Sequence, residues 1–329
     1  MLAPALRWGV LAPGRIAGSF VDAISSNTRQ RVVAVGSRSA ERGSAFAAAN
    51  GVERSYSSYE QLVTDPNVDV VYIASPHSEH RAQALLAIAA GKPVLVEKSF
   101  TRNAAEAAEV GNAAAAAGVP VLEAMWTRFL PQTDVIRQLL ADGVLGEITT
   151  VLADHGQSFA FDPASRLFDP VLAGGALLDL GIYPLSFASF VLGEADSVLA
   201  TGSLTSTGVD AQASAVLTKG TAQACVNTTL LARTPTTASI SGTAGRLEIS
   251  GPFYGPGTLT LSNNDDRAIV RAVDAITGHH GLCFEAAHLA TLIAEGASES
   301  PLLPISETVS VLRIIDEIRR QIGVIFPGE

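Results

Sequence analysis

The chain has 329 residues, 47% of them apolar and 16% charged, with a formal net charge of −10. That length exceeds one ordinary core, so two domains are expected, and the composition excludes a disordered protein. No basic run of five or more occurs, which argues against a nucleic-acid partner.

The first part alternates strands and helices. Residues 6–12, 31–36, 69–74, 93–96 and 119–123 read as short strands. Ala-rich stretches at 15–26, 39–50, 78–91 and 103–117 read as helices. Alternation of this kind predicts a parallel sheet with helices on both faces, a Rossmann-type α/β domain over residues 1–124. Gly51, Gly91 and Gly118 follow helical stretches, where a left-handed residue ends a helix. After residue 124 the pattern changes. Helices are expected at 130–142 and 173–192, then strands at 195–206, 211–219, 222–232, 236–242, 245–250 and 257–262, then helices at 283–296 and 305–322. This predicts an α+β domain over 125–329 with a large antiparallel sheet, its last helix free to return to the first domain. Cys225 and Cys283 lie far apart without metal-ligand spacing, so reduced thiols, a cytoplasmic setting and no metal site are expected. The opening MLAPALRWGVLA does not read as a signal peptide. No apolar run reaches the roughly 18 residues a membrane helix needs, so no membrane partner is expected.

The segment from Gly9 to Ala17 joins the first strand to the first helix. The dinucleotide fingerprint G-x-G-x-x-G here reads Ala12-x-Gly14-x-x-Ala17. Gly14 keeps the position where backbone must approach a pyrophosphate. Arg15 and Ile16, opening the helix, offer backbone amides to the phosphates. The end of the second strand has no acid to grip a ribose 2′-hydroxyl. Ser37 and Arg38 stand there, a hydroxyl and a guanidinium suited to a 2′-phosphate, which points to NADP rather than NAD. Ser39 also reads as a helix cap, and Arg38 reads equally as a solvated arginine. Ser75 and His77 follow the next strand, at the carboxyl end where ligands bind. His80 reads as structural.

Lys98, one of only three lysines, closes an apolar strand. A lysine there is either solvated or a group whose pKa burial can tune for chemistry. Asp179 and Tyr183 lie four apart and share a face if 173–192 is helical. A tyrosine needs a neighbouring ammonium to exchange protons near neutrality. Without one, Tyr183 reads as a buried tyrosine with its hydroxyl satisfied.

The segments RWGVLAPGRIA, VLVEKSF, LEAMWTRFLP, GGALLDLGIYPLSF, SGTAGRLEI and ESPLLPISE occur in the order found in the glucose–fructose oxidoreductase/inositol dehydrogenase (Gfo/Idh/MocA) family, which the chain resembles from residue 6 to its C-terminus. The resemblance implies an NADP-dependent sugar or diol dehydrogenase that forms a homodimer through the sheet of its second domain. It implies Lys98 as the family lysine, preceded by Glu97 at the cofactor, Tyr183 as proton donor and acceptor, and Asp179 as the partner carboxylate. It places Trp126, Arg128 and Phe129 in the substrate pocket. Ser99 replaces the proline that follows the family lysine, and Ala12 replaces the first glycine of the fingerprint; neither change removes a reacting group. Two alternatives stay open: the same chemistry on another carbonyl, such as a ketosugar or α-ketoaldehyde, and an NADP(H)-sensing protein without turnover.

Overall fold

The computed structural model describes residues 3–265, 268–273 and 276–329. The chain divides into two compact units, Met1–Phe129 with Gly278–Thr308, and Leu130–Thr277 with Val309–Glu329.

The first unit contains β1 (Arg7–Leu11), α1 (Arg15–Asn27), β2 (Arg31–Gly36), α2 (Ala40–Asn50), β3 (Arg54–Tyr56), α3 (Tyr59–Val63), β4 (Val70–Ile73), α4 (His77–Ala89), β5 (Val94–Glu97), α5 (Ala104–Ala117) and β6 (Val121–Ala124). Its six strands run in the order β3-β2-β1-β4-β5-β6, all parallel. This is the doubly wound order, whose direction reverses between β1 and β4, and ligands bind at the carboxyl ends beside that reversal. The central strands are buried on both faces, as their unbroken Val, Leu and Ile runs require. The very short β3 and α3 carry too few residues for a periodic signal, and the sequence reading passes over them. Gly51, Gly91 and Gly118 all take the left-handed conformation.

The second unit opens with α6 (Pro131–Ala141) and β7 (Ile148–Gly156). A π-helical segment, Leu177–Gly181, runs into α7 (Ile182–Leu192). Then follow β8 (Ser197–Leu204), β9 (Asp210–Lys219), β10 (Ala222–Thr229), β11 (Ala238–Gly242), β12 (Gly245–Ile249), β13 (Thr258–Asn263) and β14 (Ala268–Val273). Helix α8 (Leu282–Glu295) belongs to the first unit, and the residues of α9 (Ile305–Ile322) divide between the two.

The second sheet has eight strands in the order β14-β13-β12-β11-β7-β10-β9-β8. It consists of two antiparallel meanders joined through β7, a strand the sequence reading leaves unassigned. The sheet is therefore mixed rather than purely antiparallel, because β7 and β10 run parallel. Parallel neighbours need a crossover, and the chain from 157 to 221, which includes α7, provides it. Burial alternates along β9 and β10. Their alanines and valines turn mostly to the face that α7 covers, so their apolar run serves one face more than two. Residues Pro170–Leu192 are apolar and long enough to cross a membrane, with a mean hydropathy of 1.6 in a stretch that is 78% buried inside the protein. Asp179 and three glycines, Gly174, Gly175 and Gly181, interrupt the stretch as an apolar run, and it forms core.

Among the carboxyl groups that the first unit buries, three bear on one another. Glu97 closes β5, Glu123 lies in β6, and Glu285 lies in α8 with no exposed surface. Neither oxygen of Glu285 has a hydrogen-bond partner among the described residues. Burial, then the charges of Glu97 and Glu123, holds its pKa well above the usual carboxylate range. Burial also lifts Glu123 to about 7, although the Thr308 hydroxyl donates to it at 2.8 Å. A carboxyl with a raised folded-state pKa takes up a proton on folding. Its contribution is most favourable below the unfolded value near ~4.3 and is lost as pH rises toward the folded value. Glu285→Gln should therefore gain on the wild type between pH 5 and pH 8, the melting temperature moving by about 2–4 °C per kcal/mol. Thermal melts at the two pH values test this, and a difference between variant and wild type that does not change with pH refutes it.

Candidate active site

In the first unit the β1–α1 turn is built for an anion. Ala12 adopts the left-handed conformation (φ 68°) that the fingerprint's first glycine takes more easily, and its amide donates to the Gly36 carbonyl at 3.0 Å. Gly14 caps α1 in extended conformation, and no side chain caps the helix start. A Cβ on Gly14 would meet only the Ala74 carbonyl, at 3.9 Å. The space above it is open, whereas a Cβ on Gly9 would strike Leu62 at 2.6 Å. Gly9 is thus a packing glycine, and Gly14 leaves room for a ligand beside the α1 amides of Arg15 and Ile16. Helix α4 likewise starts at Pro76 without a side-chain cap, and the buried Ser75 hydroxyl has no partner among the described residues. These features fit a dinucleotide.

At the end of β2, Ser37 is buried and its hydroxyl accepts from the Ser39 amide at 3.2 Å. Ser39 caps α2, as its sequence position suggested. The Arg38 side chain is 72% exposed, with Glu79 4.0 Å away. His77 is buried, and its ring packs edge-on to His80. The two ring nitrogens of His80 face the Ser75 carbonyl at 2.8 Å and the Phe100 carbonyl at 3.2 Å. That contact ties the α4 entry to the turn after Lys98.

Glu97 is buried. It accepts from the Tyr72 hydroxyl at 2.5 Å and from the Lys98 amide at 3.2 Å. Tyr72 is wholly buried and stacks on Phe20, so the backbone at Lys98 is moored in the core. The Lys98–Ser99 peptide is cis. Trp126, Arg128 and Phe129 form a buried 3₁₀ turn after β6. Arg128 donates to Glu307 at 2.5 Å and to the Leu302 carbonyl at 3.0 Å, Phe129 stacks on His288, and Trp126 lies 6.0 Å from the His279 ring.

In the second unit the glycines of GGALLD have distinct jobs. A Cβ on Gly174 would meet the Arg166 and Leu167 carbonyls at 2.6 Å. Gly175 sits at φ 115°, where a Cβ would stand 2.1 Å from an Asp210 oxygen. Close approach there brings the Arg166 loop against the π segment. Arg166 then donates from both terminal nitrogens to Asp179 Oδ1 at 3.1 Å. Asp179 is buried, and its partner arginine is half exposed. Tyr183, in the first turn of α7, is partly buried. It stacks on Tyr254 at 4.6 Å between centroids, and His155 lies 5.4 Å away. His155 in turn stacks on Tyr254 at 4.5 Å. Burial, and then the charge of Asp179, pushes the Tyr254 phenol pKa up, against a hydrogen bond with Gln157.

Asp179 and Tyr183 thus meet in one cluster with Arg166, His155, Gln157 and Tyr254. The sequence reading names only the first two. His155 lies at the penultimate position of the unassigned strand β7, and Tyr254 and Arg166 stand in loops without a motif. Lys98 belongs to the first unit and Tyr183 to the second. No cluster of three or more His, Cys, Asp or Glu able to hold a metal ion occurs among the described residues.

Residues 6–125 match the oxidoreductase family with an NAD-binding Rossmann fold, and residues 134–248 match the Gfo/Idh/MocA C-terminal domain. Trans-1,2-dihydrobenzene-1,2-diol dehydrogenase of Macaca fuscata fuscata is 36% identical, covering 99% of each chain. That of Sus scrofa is 37% identical, with the same coverage. An aldose-aldose oxidoreductase from Caulobacter crescentus, solved with glycerol, is similar with a TM-score of 0.86 at 25% identity, over 96% of this chain and 97% of the other. The open pyrophosphate turn, the doubly wound sheet and this full-length likeness lead to one conclusion: the chain belongs to the Gfo/Idh/MocA family of oxidoreductases and uses a nicotinamide cofactor.

Proposed function

We propose that the protein is an NADP-dependent dehydrogenase of a small diol or sugar, with Tyr183 exchanging the hydroxyl proton. The observation that carries this reading is the cluster of Asp179, Tyr183, Tyr254 and His155 in a chain of this family. The names of the relatives support the substrate class, since they act on a diol or an aldose. The bound nicotinamide supplies the acceptor or donor for a hydride. The hydroxyl proton of the substrate passes to Tyr183 as its carbon loses hydride, and returns in the reverse direction. Tyr254 is the less suited phenol, because burial and the charge of Asp179 keep it protonated. It serves as a neutral wall. Asp179, held by Arg166, orients the hydroxyl groups of the site. The family resemblance gives Lys98 the role of the ammonium that would favour phenolate at Tyr183. The same resemblance assigns Trp126, Arg128 and Phe129 to the substrate pocket.

The preference for NADP rests on the strand end that lacks an acid and carries Ser37 and the exposed Arg38. The homodimer rests on the uncovered face of the second sheet, where Leu152 is 49% and Leu199 is 73% exposed. A cytoplasmic setting rests on two free cysteines, one exposed and one buried.

Initial rates over aldoses, ketoses and diols with both cofactors test the substrate class. Tyr183→Phe should lower turnover by about 10²–10⁴-fold on the best substrate while NADP still binds, as expected for loss of a general acid–base. Lys98→Met should act similarly and move the limb of the pH–rate profile that reports the phenol. Retention of wild-type turnover in Tyr183→Phe would remove the assignment. Arg38→Ala should weaken NADP by about tenfold or more and leave NAD unchanged. Titrations in which wild type binds both cofactors equally would refute the preference. Light scattering should return twice the 34.0 kDa of one chain, and a monomer at micromolar concentration rules the dimer out.

A further inference from the structure

We propose that Asp210, assisted by Thr228, is a positioning residue that fixes the π segment carrying Asp179 and leading into Tyr183. The inference rests on the reading that these two residues do the chemistry.

The π segment begins at Leu177, and the residue before it, Ala176, offers no side-chain cap. Amides at the start of a helical segment need an acceptor. Asp210, the first residue of β9, supplies it from 33 positions away: its Oδ2 accepts from the Leu177 amide at 2.6 Å. The amide of Ala176 and that of Asp210 itself also hydrogen-bond to this carboxyl group. Only 1% of Asp210 is exposed. A carboxyl group this deep is costly, and burial lifts its pKa to about 6 although Arg319 lies near enough to oppose the shift. A buried acid that collects backbone amides at one turn is holding that turn.

Two further contacts point the same way. Gly175 sits at φ 115°, and any side chain there would run into Asp210 Oδ1. The glycine and the acid are therefore matched. From the next strand, the Thr228 hydroxyl lies 3.1 Å from the His155 carbonyl and 3.3 Å from the Ala176 carbonyl. Thr228 thereby links the residue whose ring packs against Tyr183 to the residue that opens the π segment. A Cβ on Gly181 would stand 3.0 Å from Thr228 Cγ2, so the far end of the segment rests on the same side chain. Asp210 and Thr228 together grip both ends of the five residues that hold Asp179. Misplacement of a reacting group by about 1 Å can cost about 10²-fold in rate.

The full-length enzyme is assayed as Asp210→Ala, Asp210→Asn, Thr228→Val and Tyr183→Phe, with the best substrate from the panel and NADP. Circular dichroism and NADP titration establish folding of each variant. Asp210→Ala should lower kcat about tenfold or more, while KM and NADP affinity stay within about twofold. Asp210→Asn keeps an oxygen acceptor for the Leu177 amide and should recover most of kcat. A residue that only stabilises the fold would lower the melting temperature and leave kcat unchanged at temperatures where the variant is folded. Wild-type kcat in folded Asp210→Ala overturns the inference, as does an Asn variant no better than Ala. If Asp210→Ala does not fold, Asp210→Asn and Thr228→Val decide: the Asn variant should keep most of kcat and the Val variant should lose several-fold, and failure of either overturns it. Wild-type turnover in Tyr183→Phe strikes the underlying reading. Loss in Tyr183→Phe with none in Asp210→Ala strikes this inference alone.

Discussion

Backbone amides at the start of a helix have no partner within the helix, and something else must accept from them. Three helices of the first unit solve this locally: Ser39 caps α2, Ser58 caps α3 and Asn103 caps α5. Other segments have no side-chain cap, among them α1, which begins at Gly14, α4, at Pro76, and the π segment, at Ala176. The first two leave amides for a bound phosphate to satisfy. The third is satisfied by Asp210 from a distant strand. At these three starts the amides either stand open beside the proposed cofactor site or are held by a buried acid.

The same economy governs the ionisable groups. Asp179 is buried but paired, with two donors from Arg166. Tyr254 and Tyr183 stack, yet their surroundings separate them, since Tyr254 lies under desolvation and near the charge of Asp179. In the first unit, Glu97 accepts from Tyr72 and the Lys98 amide, while Glu285 has no hydrogen-bond partner among the described residues. The difference is functional placement: Glu97 shapes the turn that carries Lys98, and Glu285 lies on a core face of α8.

Much of this was legible in the sequence, for identifiable reasons. The first sheet announced itself because strands buried on both faces must be unbroken apolar runs. The helix ends were readable because Gly51 and Gly118 adopt a backbone conformation that other residues avoid. The resemblance to the family also held over both units. What escaped was set by long-range contact. Strand β7 mixes threonines with apolar residues between two helices, and its central place in the second sheet follows only from pairing with β10 and β11. His155 and Tyr254 are lone aromatic residues, about a hundred positions apart, which matter because they stack. Arg128 also meets Glu307, a partner 179 residues away that the sequence does not show.

The two glycines of GGALLD show how a motif and its physical cause can be separated. As a pattern, the run signals a family. As structure, Gly174 answers to two carbonyl groups and Gly175 to one carboxylate. Neither glycine touches Tyr183 or Asp179 through a side chain, because neither has one. Their contribution is absence: Gly174 lets the Arg166 loop lie against the turn, and Gly175 lets Asp210 reach the Leu177 amide. Arg166 then meets Asp179 because the loop is close, and the turn is rigid because its amides are held. In the proposed site, the groups assigned to the chemistry sit where residues outside that chemistry hold the backbone.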